Sequence, residues 1–223
     1  MALTDYQSLA DDLVRDDSGR IATADRDAAI ALAVTRYAKD RPRTAVEDLD
    51  SGAGGHLLDL PEGWETDFSR LVTLEYPVGA VPPALRADWR LYETPAATKI
   101  MLADALPASA TVRASYTIAH VVDAETDTVP ASDREAVTCW AAALLLDQLA
   151  AFHAGSTDAT IKADAVAPGS KSGDYARRAA AMRKRYFDEL GLDPKKAVAA
   201  GIVVDLDPRA SDGGLRMRDR RWR

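Results

Sequence analysis

The chain has 223 residues, of which 47% are hydrophobic and 28% charged, with a formal net charge of -7 and a single cysteine. These values fit one sizeable globular domain or a domain with an inserted module, and they exclude a disulfide scaffold and a low-complexity chain. The acidic balance argues against a body that grips nucleic acid.

The first residues, MALTDYQSLADD, carry acids and no apolar run, which is not the pattern of a signal peptide. Thr4 caps a first expected helix with Tyr6, Leu9 and Leu13 on one face, and the turn at residues 16–20 ends it. Thr23 caps a second, running to about Arg41, with the stripe Ile30, Ala33, Val34 and Tyr37 at helical spacing; Pro42 stops it. Residues 43–60 read as extended pieces around the loop at residues 51–55. A short helix is expected over residues 63–74, before Pro77.

The period then changes. Residues 89–92, 98–102 and 111–118 read as three strands. In the last, Val112, Ala114, Tyr116 and Ile118 alternate with Thr111, Arg113, Ser115 and Thr117. We expect them to form one small antiparallel meander, about residues 86–122, that projects from the helices. Its free edge suits pairing with a strand from another chain.

Pro130 and the capping box Ser132–Glu135 open the most apolar stretch of the chain, and Gly155 closes it. Val137, Trp140 and Leu144 line one face; Ala141, Leu145, Leu149 and Phe152 line another. A helix apolar on most of its circumference must be covered on most sides. Asp147 and Gln148 interrupt it and it is short for a membrane span, so we expect a core helix and no membrane partner. Trp140 and Leu144 are expected inside the subunit. Part of the Leu145, Leu149 and Phe152 face is expected to meet another helix. Cys139, within this helix, reads as a buried reduced thiol.

A polar connection, residues 156–171, leads to a final helix at about residues 172–190. Its stripe is Tyr175, Ala179, Met182, Tyr186 and Leu190, with Arg177, Arg178, Arg183, Lys184 and Arg185 mostly off it. Residues 192–223 hold eight Lys/Arg and five Asp/Glu, leaving -10 on the rest of the chain. They read as an extended arm. Arg216, Arg218, Arg220, Arg221, Trp222 and Arg223 have the composition of an interface anchor.

The patterns for chemistry break at decisive positions. Residues 169–173 put Lys171 where a nucleophile elbow needs serine, and they lack the order of a phosphate loop. Residues 52–57 put Leu57 where a dinucleotide fingerprint needs its third glycine. The acidic run from Asp123 to Asp127 has Thr128 and Arg134 where a calcium loop needs glycine and glutamate, so it reads as a solvated loop. His56, His120 and His153 lack zinc-ligand spacing. We therefore expect no catalytic residue, cofactor or metal, and a structural protein rather than an enzyme.

The segments DRDAAIALAVTRYAKDRPR (25–43), TDTVPASDREAVTCWAAALLLDQLAAFHAG (126–155) and YARRAAAMRKRYFDELG (175–191) resemble the head-to-tail connector, or adaptor, proteins of long-tailed bacteriophages. The resemblance implies a mainly α fold: a helical adaptor domain over residues 1–191 with the β-meander inserted, and the arm over residues 192–223. It also implies a virion protein made in the host cytoplasm. Such proteins form a dodecameric ring under the portal, extend the DNA channel without sequence-specific binding, and offer a platform to a stopper or other neck or tail protein. Their C-terminal segment docks on the portal, a role that falls here on Arg216 to Arg223. A stopper or tail-completion protein is the alternative within the neck. A small enzyme with an unrecognised site, or a nucleic-acid module acting through the same arginines, are alternatives of other classes.

Overall fold

A computed structural model describes residues 3–16, 19–154 and 171–195. The described residues form two compact units: four helices in one, and the strands of Thr44–Ile118 in the other.

The helical unit is built from α1 (Leu3–Val14), α2 (Thr23–Asp40), α3 (Arg134–Ala154) and α4 (Lys171–Leu190). α3 is its axis. It packs on each of the other three helices, most extensively on α4. The amphipathic helices present the stripes their spacing dictates. α2 buries Ile30, Ala33, Val34 and Tyr37, and α4 buries Ala179, Tyr186 and Leu190. α1 buries Tyr6, Ala10 and Val14, leaving Leu9 exposed, so its inner stripe is turned by about one residue from the expected one. α3 spends its small residues as spacers: Ala136, Ala141, Ala142 and Ala143 are buried and let its neighbours approach. Ala131–Ala154 is long and apolar enough to cross a membrane by length and composition alone, but 61% of its most apolar window is buried inside the fold. Packing decides the matter, not length.

The entry to α3 differs from a capping box. Ala131–Asp133 is a single 3-10 turn, and the Ser132 hydroxyl donates to Asp133 Oδ1 at 2.8 Å. Asp133 is the buried member. It accepts from the Tyr37 hydroxyl at 2.6 Å and from Arg41 Nη1 at 2.9 Å. Glu135 pairs instead with Arg185 of α4.

The second unit corrects the expected fold class. The molecule is an α/β mixture with two antiparallel sheets, not a mainly α bundle carrying one meander. β1 (Arg43–Asp50), β2 (Gly55–Leu58), β3 (Leu71–Glu75), β4 (Leu85–Arg86), β5 (Trp89–Glu93), β6 (Thr98–Leu106) and β7 (Thr111–Ile118) run in chain order. One sheet has the order β1-β7-β3-β4 and the other β2-β6-β5. The two share one core, with Leu49, Leu71, Leu74, Val112, Ala114 and Tyr116 from the first and Leu58, Ile100, Leu102 and Leu106 from the second. β5 and β6 pair as expected. β6 and β7 do not, because the chain crosses from one sheet to the other at residues 107–110. Ser51 fixes that crossing. Its amide donates to the Ala110 carbonyl at 2.9 Å, and its hydroxyl donates to the Pro107 carbonyl and accepts from the Ala110 amide. Gly54 is required beside it. At φ +81°, a Cβ there would lie 2.7 Å from the Leu106 carbonyl oxygen.

The helix expected over residues 63–74 is absent. Residues 61–69 are turns closed by Trp64 N–H to Pro61 O and Ser69 N–H to Glu65 O, with Asp67 at φ 67°. Residues 71–75 are strand, because β3 pairs with β7, about forty residues downstream.

Candidate assembly surfaces

The helical unit closes around Trp140. Its ring is half-buried, 4.9 Å from the Tyr186 ring and 5.8 Å from Phe187, with the Arg36 guanidinium 5.2 Å over its face. Leu144 is likewise half-buried, whereas Leu145, Leu146 and Leu149 are buried among the chain's own helices. The apolar face of α3 that reaches solvent is therefore its C-terminal end. Phe152 is 48% exposed there, with the Arg20 guanidinium 4.8 Å from its ring.

The basic residues of α4 are largely committed within the unit. Arg178 donates to the Leu13 and Val14 carbonyls at 3.0 and 2.8 Å, satisfying the end of α1. Arg183 pairs with Asp147 and Arg185 with Glu135, tying α4 to α3. Arg177 pairs with Asp174 in the same helix.

The acidic loop before α3 is structural at both ends. Asp123 Oδ1 accepts from the Glu125 and Thr126 amides, first from Thr126, and these bonds hold its carboxyl below the ordinary value. The Asp127 side chain is 4% exposed, accepts from the Tyr6 hydroxyl at 3.2 Å and pairs with Arg134 at 2.9 Å. Burial, reinforced by the Asp127 charge, pushes the Tyr6 phenol far up, so it stays a donor. His120 is buried against the Tyr37 ring, with Nε2 3.1 Å from the Arg41 carbonyl oxygen and Nδ1 2.9 Å from that of Thr128. His153 stacks on Tyr175 in the helical unit, and His56 lies in the β unit, 3.2 Å from the Leu102 carbonyl oxygen. Among the described residues no group of three or more His, Cys, Asp or Glu side chains is placed to hold a metal. Burial pushes the Cys139 thiol up to about 11, which keeps it protonated and unreactive at neutral pH.

Asp133 gives the helical unit a pH dependence. Burial alone would raise its carboxyl, but the hydrogen bonds from Tyr37 and Ser132 and the charge of Arg41 together outweigh burial and hold it below the ordinary value. A carboxyl depressed in the folded state stabilises above its unfolded value, near about 4, and loses that contribution as pH falls through the folded value. Asp133→Asn should cost about 1–3 kcal/mol at pH 7. In urea unfolding the gap between variant and wild type should narrow as the pH drops toward about 3; a gap constant with pH would refute this role.

The β unit carries further surfaces, of which the sequence reading anticipated only a free sheet edge. Residues 76–85, the connection from β3 and the first residue of β4, carry no charged side chain, and Val81 near their centre is 96% exposed, followed by Pro82 and Pro83. The missing charge over ten residues was the available signal. Beside β5 and β6, a cleft of about 560 Å³ is lined by His56, Asp88, Trp89, Arg90 and Met101 among others. β5 is an edge strand, with Leu91 and Tyr92 exposed. Arg216, Arg218, Arg220, Arg221, Trp222 and Arg223 lie outside the described residues.

No protein-family model and no curated protein matches this sequence. The chain is similar to one in a solved structure of the neck of an empty GTA particle computed with C6 symmetry. The identity is 18%, over 78% of this chain and 87% of that one, with a TM-score of 0.27. At that identity and score the likeness assigns neither a fold nor a function to this chain.

Proposed function

We propose that this chain is a structural protein of a bacteriophage neck, a head-to-tail connector that forms a ring below the portal and carries the neck or tail proteins beneath it. The observation that supports this reading is where the resembling segments lie. Residues 25–43, 126–155 and 175–191 are separated by long stretches of sequence, yet they supply α2, α3 and α4 of one packed helical unit. Segments far apart in the sequence thus build one folded body, which supports reading the resemblance over a whole domain. The β unit, Thr44–Ile118, is inserted between α2 and α3 and has its own core, which suits a separate contact surface.

In this reading the protein is not an enzyme and needs no cofactor or metal. Its partners are further copies of itself, the portal, and a stopper or other tail-side protein. Genomic DNA passes through its channel without sequence-specific contact, because an acidic body repels phosphate. The arm with Trp222 and its flanking arginines docks on the portal. The protein then belongs to the virion neck, and a dodecameric ring is the assembly the resemblance implies.

The test is assembly with the cognate portal. Purified chain mixed with portal rings should comigrate with them on a sizing column, and electron micrographs should show an added ring on the channel axis. A chain that stays apart from the portal at micromolar concentration, in low and physiological salt, would overturn the proposal.

A further inference from the structure

The outer edge of β5 is unpaired among the described residues, and the pairing of its inner edge shows which groups an added strand would meet. β5 pairs with β6 on one side only: Trp89 with Leu102, Arg90 with Met101, Leu91 with Ile100, Tyr92 with Lys99 and Glu93 with Thr98. Two bonds set the phase of the ladder. Ala103 N–H donates to the Asp88 carbonyl at 3.0 Å, and Thr94 N–H donates to the Ala97 carbonyl at 3.0 Å. In an antiparallel pair the bonded positions alternate. Residues 88, 90, 92 and 94 therefore turn their main-chain groups toward β6, and Trp89, Leu91 and Glu93 turn theirs to the open edge.

The two faces of this edge ask for different side chains. Leu91 lies opposite Ile100, which is fully buried, so it stands on the core face of the sheet. It is nonetheless 45% exposed, because no strand covers its outer flank among the described residues. Arg90 and Tyr92 stand on the other face. The Arg90 guanidinium rests on the Met101 sulfur at 3.2 Å, and no ion pair to it is found among the described residues. Lys99 beside them is paired with Asp59. A strand that completes this edge must carry apolar residues on the Leu91 side and acids on the Arg90 side.

Residues 202–207 of this chain have that alternation. In an extended strand Ile202, Val204 and Leu206 would share one face and Val203, Asp205 and Asp207 the other, and Pro208 follows the run in sequence. They lie outside the described residues, in the part of the chain that follows Lys195. We propose that residues 202–207 are the strand that seats on the open edge of β5, with Val204 and Leu206 covering Leu91 and with Asp205 and Asp207 facing Arg90. The proposal is independent of the neck reading. It would leave Arg216 to Arg223, beyond the seated strand, for another contact.

Residue-resolved amide exchange on the full chain tests it. The Leu91 and Glu93 amides, on the open edge, should exchange slowly in the wild type, as do those of Arg90 and Tyr92, which bond to β6. Val204→Pro removes a strand donor, and the double variant Asp205→Lys with Asp207→Lys reverses the charge facing Arg90. Each should speed exchange at Leu91 and Glu93 on the order of tenfold, with Arg90 and Tyr92 unchanged as the control for folding. Fast exchange at Leu91 and Glu93 in the wild type would overturn the proposal. So would protection that survives both variants, since another segment would then hold the edge. Deleting residues 216–223 should leave the protection intact, so a failed portal contact and a failed strand contact are read separately.

Discussion

Leu146→Ala should destabilise the helical unit by about 3–5 kcal/mol. Leu146 has no exposed surface and lies in the core cluster that α3 builds with its three neighbours. Truncation removes the transfer energy of the isobutyl group and leaves a cavity that neighbouring helices cannot close without moving together. A rim leucine of the same helix gives the internal control. Leu144 is half-buried at the rim, so Leu144→Ala should cost about half as much or less. Urea or thermal unfolding followed by helical signal would measure both. The β unit has a core of its own, so tyrosine and tryptophan probes within Thr44–Ile118 should report a smaller shift. Equal losses for Leu144→Ala and Leu146→Ala would show that the burial pattern of α3 is not the one described.

Removing residues 216–223 should abolish attachment to the portal, on the function we propose, while leaving the melting of both units unchanged. Those eight residues hold five arginines and one acid around Trp222. The arginines supply planar pairing to carboxylates and the indole supplies apolar contact area. Trp222→Ala alone should weaken binding by about 2 kcal/mol or more, roughly thirtyfold. Affinity should fall as salt rises, and less steeply in the deletion variant if any binding remains. Binding by the deletion variant at wild-type strength and with wild-type salt dependence would remove the arm from the interface.

The committed charges of α4 sharpen this choice of the arm. Read as sequence, Arg178, Arg183 and Arg185 are as basic as the arginines near Trp222. In the folded chain Arg178 caps α1, and Arg183 and Arg185 hold α4 to α3. Substituting them should report on stability and not on partner binding.

The sequence by itself determined the helices. An amphipathic stripe such as Ile30, Ala33, Val34 and Tyr37 repeats within a few turns, and the helix it predicts bonds to itself, so local pattern suffices. The same held for β7, whose alternation is strict, and for β5 and β6, joined by a short turn. Only the tertiary structure decided the rest of the β unit. β1 and β3 earn their place by pairing with β7, from which they are separated by tens of residues. Residues 63–74 have local spacing that a helix could use but a partner strand that sequence reading does not reveal. Burial of single polar groups was equally hidden. Asp127 ends a run that reads as solvated and Asp133 lies in a stretch that reads as a capping box; their side chains are buried because Tyr6, Tyr37, Arg41 and Arg134 satisfy them. The degree of cover on each face of α3 was hidden for a related reason. A helix apolar all round carries no directional signal, so which of Trp140, Leu144, Leu145, Leu149 and Phe152 is covered depends on where α1, α2 and α4 pack, and that is settled only when all four helices are in place.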